Sequence, residues 1–379
     1  MSPTLPTLLL LLPTVILLLY LYAHLTSTPA PPPLAPFTHP SLASLTKEPP
    51  IDSWINSLYP ESIFDGGGYA ALPYGRTRFW MVGPEEGFKI VLVHGLSVPS
   101  LIWRDVAPQL AARGFRVLVY DLYGRGYSDA PQTTYDAALY VTQLALLLQY
   151  VGWDRAGLVG ISMGGAVAAA FSVQFPHLVT GDIALMATTG IVDPGDMSRT
   201  SRFLSSPLMQ LVTSSTPFRM YLKYLANHNT STPLTTADEF RELVRLQSAY
   251  LPGFNVAVAS SIRDGPIRGQ APTFAALGRQ IRKRGGRVLI VWGTNDTIVP
   301  YAYAARVQAL LGGGDAAPRV VTVEGAGNDL TQSHPEEVVE ALAAFFGEAP
   351  VSAEGGDRRT DSSGKTHQEG KTVKGKEKK

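Results

Sequence analysis

The stretch Gly160-Ile161-Ser162-Met163-Gly164 sets a serine between two glycines, after the apolar run AGLVG and before the helix-compatible run GAVAAAFSVQF. A G-x-S-x-G at a strand-to-helix turn exposes its hydroxyl on a tight, strained bend, and the flanking glycines let backbone and helix close up. The helix N-terminus and the N–H of Met163 then face the place where an oxyanion would form. His94-Gly95 ends the run FKIVLV, so the turn at Gly95 can aim a second N–H, that of Leu96, at the same oxyanion. His94 itself is expected to pack in that turn rather than act as a base. Farther on, RVLIVWG runs into Gly293-Thr294-Asn295-Asp296, which puts Asp296 just past the end of an apolar run, where sites of open α/β sheets collect. Asp296 also suits a turn or helix N-cap, with Pro300 at a helix start.

Such residues need a scaffold that holds strand ends together. Six short apolar runs, 88–95, 115–121, 156–162, 181–187, 287–293 and 319–325, are rich in β-branched residues and end at Gly, Asp or Ser. They are expected to be buried parallel strands. Helical patterns lie between them, at Trp103–Arg113, Tyr135–Val151, Gly164–Phe175, Thr273–Arg284, Ala302–Leu311 and Pro335–Phe346. This alternation predicts a doubly wound, mostly parallel α/β sheet. It breaks once, over about 190–266, where patterns such as Phe218–Leu225 and Ala237–Tyr250 suggest a helical cap inserted into the sheet domain.

Composition narrows the chemistry. The 379 residues hold no cysteine, which removes disulfide scaffolds, thiolate zinc sites, iron–sulfur clusters and a cysteine nucleophile together. A net charge of +1 argues against nucleic acid as a partner. No His/Asp/Glu cluster has metal-ligand spacing, and no metal is expected. The glycine-rich Tyr123-Gly124-Arg125-Gly126 lacks the dinucleotide fingerprint, so no cofactor is expected either.

The two ends differ from the centre. After a short N-terminus at 1–7, residues 8–25 are free of formal charge and would make a helix about 27 Å long, nearly enough to span a hydrocarbon core. No Lys or Arg precedes it, and Tyr20, Tyr22 and His24 mark an interfacial end, so an uncleaved single-pass anchor is expected over a cleaved signal peptide. That reading implies the endoplasmic reticulum or secretory pathway, with the orientation open. Residues 26–50 carry Pro29, Pro31, Pro32, Pro33 and Pro36 and are expected to form a stiff stalk ahead of a domain at 51–348. Residues 349–379 are nearly devoid of apolar side chains and net basic, the composition of a disordered tail.

With these stretches in view, VLVHGLSVPSLIW, VLVYDLYGRGYSD, GLVGISMGGAVA, VWGTNDTIVP and VEGAGNDLTQSHPEEV resemble the α/β-hydrolase superfamily over about residues 75–347. The capped esterases, monoacylglycerol lipases, valacyclovir-hydrolase-like proteins and C–C bond hydrolases are the most similar groups. The resemblance implies an α/β-hydrolase fold with Ser162 as nucleophile, Asp296 as the acid that orients a base, and the Leu96 and Met163 amides as oxyanion hole. Serine rather than aspartate at the elbow argues against epoxide hydrolases and haloalkane dehalogenases.

One position departs from the family. Where G-x-G-H is usual, the chain has Gly325-Ala326-Gly327-Asn328, and an asparagine amide has no lone pair basic enough to take a serine proton near neutral pH. His334, six residues on, is the first candidate for a substitute base, and His228 in the insertion is the second. His177 is expected at a helix end, and His24, His39 and His367 fall outside the catalytic domain's core. The expectation is therefore a membrane-anchored serine hydrolase acting on an ester or related acyl bond of a lipophilic small molecule. Its rival is a pseudo-hydrolase that binds a hydrophobic ligand or partner without cutting it.

Overall fold

The computed structural model describes residues 37–45, 51–193, 195, 218, 220, 236–313 and 317–348. The proposed anchor at 8–25, the tail at 349–379 and His228 lie outside these residues. No described helix is long and apolar enough to cross a membrane.

The six apolar runs become β4 (Lys89–Val93), β5 (Arg116–Tyr120), β7 (Ala156–Ile161), β8 (Val179–Met186), β9 (Arg287–Gly293) and β10 (Arg319–Val323). The β-branched side chains of β4, β5, β7 and β9 are buried because helices cover the sheet, as parallel strands require, whereas the edge strand β10 keeps Val320 and Val321 half-buried and Thr322 exposed. Two further strands precede them, β2 (Gly67–Leu72) and β3 (Gly75–Val82), an antiparallel hairpin that the alternation pattern did not reveal. The eight strands order as β10-β9-β8-β7-β4-β5-β3-β2, with only β3 running against its neighbours. The connection from β4 runs to β5 on one side, while that from its neighbour β7 runs to β8 on the other. The crevice at the carboxyl ends of β4 and β7 is thus the topological switch point where ligands of such sheets bind.

The described helices are α1 (Ile51–Leu58), α2 (Ala107–Ala112), α3 (Ala137–Tyr150), α4 (Met163–Gln174), α5 (Thr236–Tyr250), α6 (Phe254–Arg263), α7 (Ala271–Arg284), α8 (Ala302–Leu311), α9 (Leu330–Ser333) and α10 (Pro335–Gly347), of which α3, α4, α5, α7, α8 and α10 sit close to their expected ranges. Asp136 caps α3 by accepting from the Leu139 N–H over 2.9 Å. Helix α4 is buried from Met163 to Ser172 because glycines and alanines let it approach the sheet closely.

Three local expectations need correction. The stretch Trp103–Arg113 is not one helix: a 3₁₀ turn spans Ser100–Trp103, and α2 begins only at Ala107, next to Pro108 in its first turn. Helix α6 had no predicted counterpart in the insertion. Residues 37–45, expected within a free stalk, lie against the domain instead: β1 (Thr38–His39) pairs antiparallel with β6 (Ala130–Pro131), and Leu42 is fully buried. Leu42 and Leu45, buried beside this short strand pair, anchor the segment through apolar contact that a free stalk would lack.

Candidate active site

Ser162 occupies the turn between β7 and α4 with φ 55° and ψ −121°. Only Ala187, among the other described non-glycine residues, also has positive φ. Such a conformation costs about 1–3 kcal/mol and persists only where surrounding contacts impose it. Here the Ser162 N–H donates to the Met186 carbonyl at 2.9 Å, and its own carbonyl accepts from Gly165 and Thr189 at 3.1 Å each. The flanking glycines are sterically required. A Cβ on Gly160 would stand 2.2 Å from the Gly164 carbonyl oxygen, and one on Gly164 would stand 2.2 Å from the Val93 carbonyl oxygen. Gly95 faces the elbow from β4, where a Cβ would lie 3.3 Å from that of Ser162.

The Gly95–Leu96 peptide is aimed by His94. The buried imidazole accepts from the Leu122 N–H at Nε2 over 2.8 Å, so its hydrogen sits on Nδ1, which donates to the Gly95 carbonyl over 2.9 Å. Carbonyl and N–H of one trans peptide point opposite ways, so holding the Gly95 oxygen turns the Leu96 N–H the other way. Burial, with the nearby Arg125 charge second, lowers the His94 pKa to about 3 and keeps the ring neutral. Met163 opens α4, where its N–H has no intrahelical acceptor.

Arg125 braces the same loop from behind, a role that sequence alone did not suggest. Its buried guanidinium donates to the Leu96 carbonyl at 2.8 Å, the Tyr123 carbonyl at 2.9 Å, the Tyr140 hydroxyl and the Ser261 hydroxyl of α6 at 2.8 Å. Gln247 of α5 accepts from the Gly126 N–H at 2.7 Å and reaches the Ser97 carbonyl at 3.4 Å. Helices α5 and α6 of the insertion are therefore tied to the loop that carries Leu96. Buried polar groups scattered over 136 residues of sequence leave no local pattern by which to find them.

Asp296 follows β9 and is 5% exposed. Its Oδ1 accepts from the Ile298 and Val299 N–H groups at 2.8 Å each, and its Oδ2 accepts from the Asn328 Nδ2 at 2.9 Å. Burial pushes the carboxyl pKa upward, while these three donors pull against it. The turn carrying Asn328 is laced to the Asp296 loop: Thr294 N–H donates to Val323 and Asn295 N–H to Ala326, at 3.1 and 2.9 Å. The indole of Trp292 holds the far side through the Val299 carbonyl at 2.9 Å.

A cavity of about 410 Å³ opens over these groups, lined by Ser162, Leu96, Met163 and Asn328 and otherwise largely apolar. Thr189 also lines it, and its buried hydroxyl has no hydrogen-bond partner. His334 is not among the lining residues. It stands at the junction of α9 and α10, its Nδ1 2.9 Å from the Ser333 hydroxyl. His177 lies at an exposed bend after α4, edge-on to Phe175 at 6.1 Å. No group of His, Asp and Glu suited to a metal occurs among the described residues.

A doubly wound sheet with a strained serine at its switch point and an aspartate after a later strand defines a class of hydrolase scaffold. The chain matches the alpha/beta hydrolase family over residues 90–341 and belongs to that family. It is 30% identical over 230 residues to the 2-hydroxy-6-oxo-2,4-heptadienoate hydrolase of Pseudomonas putida, covering 59% of this chain and 78% of that protein. It is 26% identical over 286 residues to the soluble epoxide hydrolase of a Corynebacterium species, covering 71% of this chain and 93% of that protein. Among solved structures, a membrane phospholipase A described as a bacterial virulence factor shares the fold at 20% identity with a TM-score of 0.57, over 89% of this chain and 97% of that one. These relatives bear out the expected fold and identify a hydrolase.

Proposed function

We propose that this hydrolase is a membrane-anchored serine hydrolase that cleaves an ester or related acyl bond of a lipophilic small molecule through an acyl-enzyme on Ser162. The observation that carries the reading is the elbow: a serine forced to positive φ beside the N-terminus of α4, with the Leu96 peptide turned by His94 beside it. Ser162 Oγ would attack the acyl carbon, and the Leu96 and Met163 N–H groups would stabilise the tetrahedral oxyanion. The largely apolar cavity favours a lipophilic acyl group. The charge-free segment at 8–25 favours attachment to a membrane.

A second reading rests on one observation, Asn328 beside Asp296. With no imidazole there, the chain would be a pseudo-hydrolase that holds a hydrophobic ligand or partner in the same cavity. Hydrolysis of a short-chain chromogenic ester by the full chain, with Ser162→Ala and Asn328→His alongside, separates the two. Native turnover abolished by Ser162→Ala supports the enzyme, and turnover only in Asn328→His supports the binding protein. Resistance of the full chain to alkaline extraction from membranes tests the anchor; release into the supernatant would exclude it.

A further inference from the structure

The machinery around Ser162 lacks one function and retains the rest. Elbow, oxyanion peptide and acid are in place, and the acid still receives a hydrogen bond at Oδ2, from an amide where the family has an imidazole. Oδ1 of Asp296 accepts two backbone N–H groups, so the carboxylate faces donors only, and Asn328 must present its NH₂ to it. The Asn328 Oδ1 is then free of the aspartate, on a residue that lines the Ser162 cavity. An asparagine amide reproduces the near half of an imidazole, the N–H facing the acid. The far half of an imidazole, which carries the basic nitrogen, has no counterpart in the shorter amide. None of the described residues lining the cavity is His, Lys, Arg, Asp or Glu.

Resting on the serine hydrolase reading, we infer that the substrate brings its own base: the site takes esters whose acyl half carries an amine or imidazole nitrogen that fills the space between Asn328 and Ser162. In the acylation step the Oγ–H bond of Ser162 breaks as Oγ bonds to the carbonyl carbon, and the proton passes to the substrate nitrogen. The resulting cation donates to the Asn328 Oδ1, with the Asp296 carboxylate behind it. The intermediate collapses as the C–O bond to the alcohol breaks, and the alcohol leaves with that proton. The nitrogen is neutral again and still attached to the acyl-enzyme. It can therefore take a proton from water as water attacks, then return it to Ser162 Oγ as the acid departs. Ester and water yield acid and alcohol, with no further reactant. A nitrogen on the alcohol half would leave with the alcohol and serve only the first half-reaction, which is why the acyl half is specified.

The test uses ethyl ω-(imidazol-4-yl)alkanoates with two to four methylenes, each paired with its ω-phenyl counterpart, and quantifies the free acid by chromatography. The full-length native chain, Ser162→Ala, Asn328→His and His228→Ala are compared. The expected result is native turnover of at least one imidazole ester about 100-fold or more above its phenyl pair, the usual worth of a positioned general base. That turnover should vanish in Ser162→Ala, survive His228→Ala, and rise with pH through the substrate's imidazole pKa. Asn328→His should cut both members of each pair with little preference. Equal native turnover of imidazole and phenyl esters, or its loss in His228→Ala, would overturn the inference by revealing a base in the protein. Native inactivity on every ester, with Asn328→His active on the phenyl esters, would overturn it while leaving the hydrolase pocket intact. Inactivity of native chain and Asn328→His alike would remove the serine hydrolase reading as well.

Discussion

The Asn328 amide nitrogen lies 2.9 Å from Asp296 Oδ2, so the buried Asp296 carboxylate is held by a side chain that cannot take up a proton near neutral pH. The other groups around the cavity are positioned independently of that contact. The serine is set by the turn between β7 and α4, the Leu96 peptide by His94, and the aspartate by its own two backbone donors.

Replacing Asn328 with histidine should therefore restore a base without rebuilding the site. Turnover of a non-basic short-chain ester is expected to rise by about 10²–10⁴-fold over the native chain. Adding Ser162→Ala to Asn328→His should return it to background. Initial rates at pH 7.5 provide the comparison, and no gain would mean that the site does not orient an imidazole toward Ser162.

The neutral, buried His94 gives stability a defined pH dependence. Its folded pKa of about 3 lies below the unfolded value of about 6.5, so below 6.5 the unfolded chain binds a proton that the folded chain refuses. Stability from this group is complete above 6.5 and is lost as pH falls toward the folded value. At pH 5 the loss is about 2 kcal/mol relative to neutral pH. His94→Gln, which offers a donor and an acceptor but does not titrate in this range, should lose less stability between pH 7 and 5 by about that amount. Urea unfolding at both pH values measures the difference; parallel behaviour of the two proteins would contradict it.

Gly164→Ala should be far worse than an ordinary helix substitution, although alanine is the better helix former. Its methyl would meet the Val93 carbonyl at 2.2 Å, and backbone on both sides must move to relieve it. A loss of at least about 1–3 kcal/mol is expected, as for overpacked cores. Thermal unfolding would detect it, and a neutral outcome would show that the elbow can open without penalty.

Ser261→Ala removes a neutral acceptor from the buried Arg125 guanidinium. Loss of a hydrogen bond to a charged group costs about 1.5–3 kcal/mol. Because Arg125 also holds the Leu96 carbonyl, ester turnover in the Asn328→His background should fall through kcat more than KM. An unchanged kcat together with lowered stability would limit the bridge to a structural role.

Much of this architecture was legible in the amino-acid order. Six of the eight sheet strands are short apolar runs bounded by glycine, aspartate or serine, a signature that burial on both faces leaves on the inner strands β4, β5, β7, β8 and β9. The hairpin β2–β3 escaped notice because Gly67–Leu72 mixes exposed and buried residues at the sheet edge without regular alternation. The 3₁₀ turn at Ser100–Trp103 lies ahead of the expected helix and shares only Trp103 with it, and its four residues are all buried in the core, so no periodic pattern marks it. Gln247 and Ser261 gave no signal, being ordinary polar residues on helices whose inward direction only packing defines.

The order of residues by itself determined the strand-turn-helix context of Ser162, the later Asp296 and the absence of a histidine at 328, because each depends on local identity and spacing. Tertiary structure alone decided that Asn328 takes up the hydrogen bond to Asp296, that His94 turns the Leu96 peptide, and that Arg125 and Gln247 tie α5 and α6 to the loop that carries Leu96. Those relations span gaps of up to 150 residues between strand ends, and such partners are chosen only when the sheet brings the ends together and burial compels each polar group to find one.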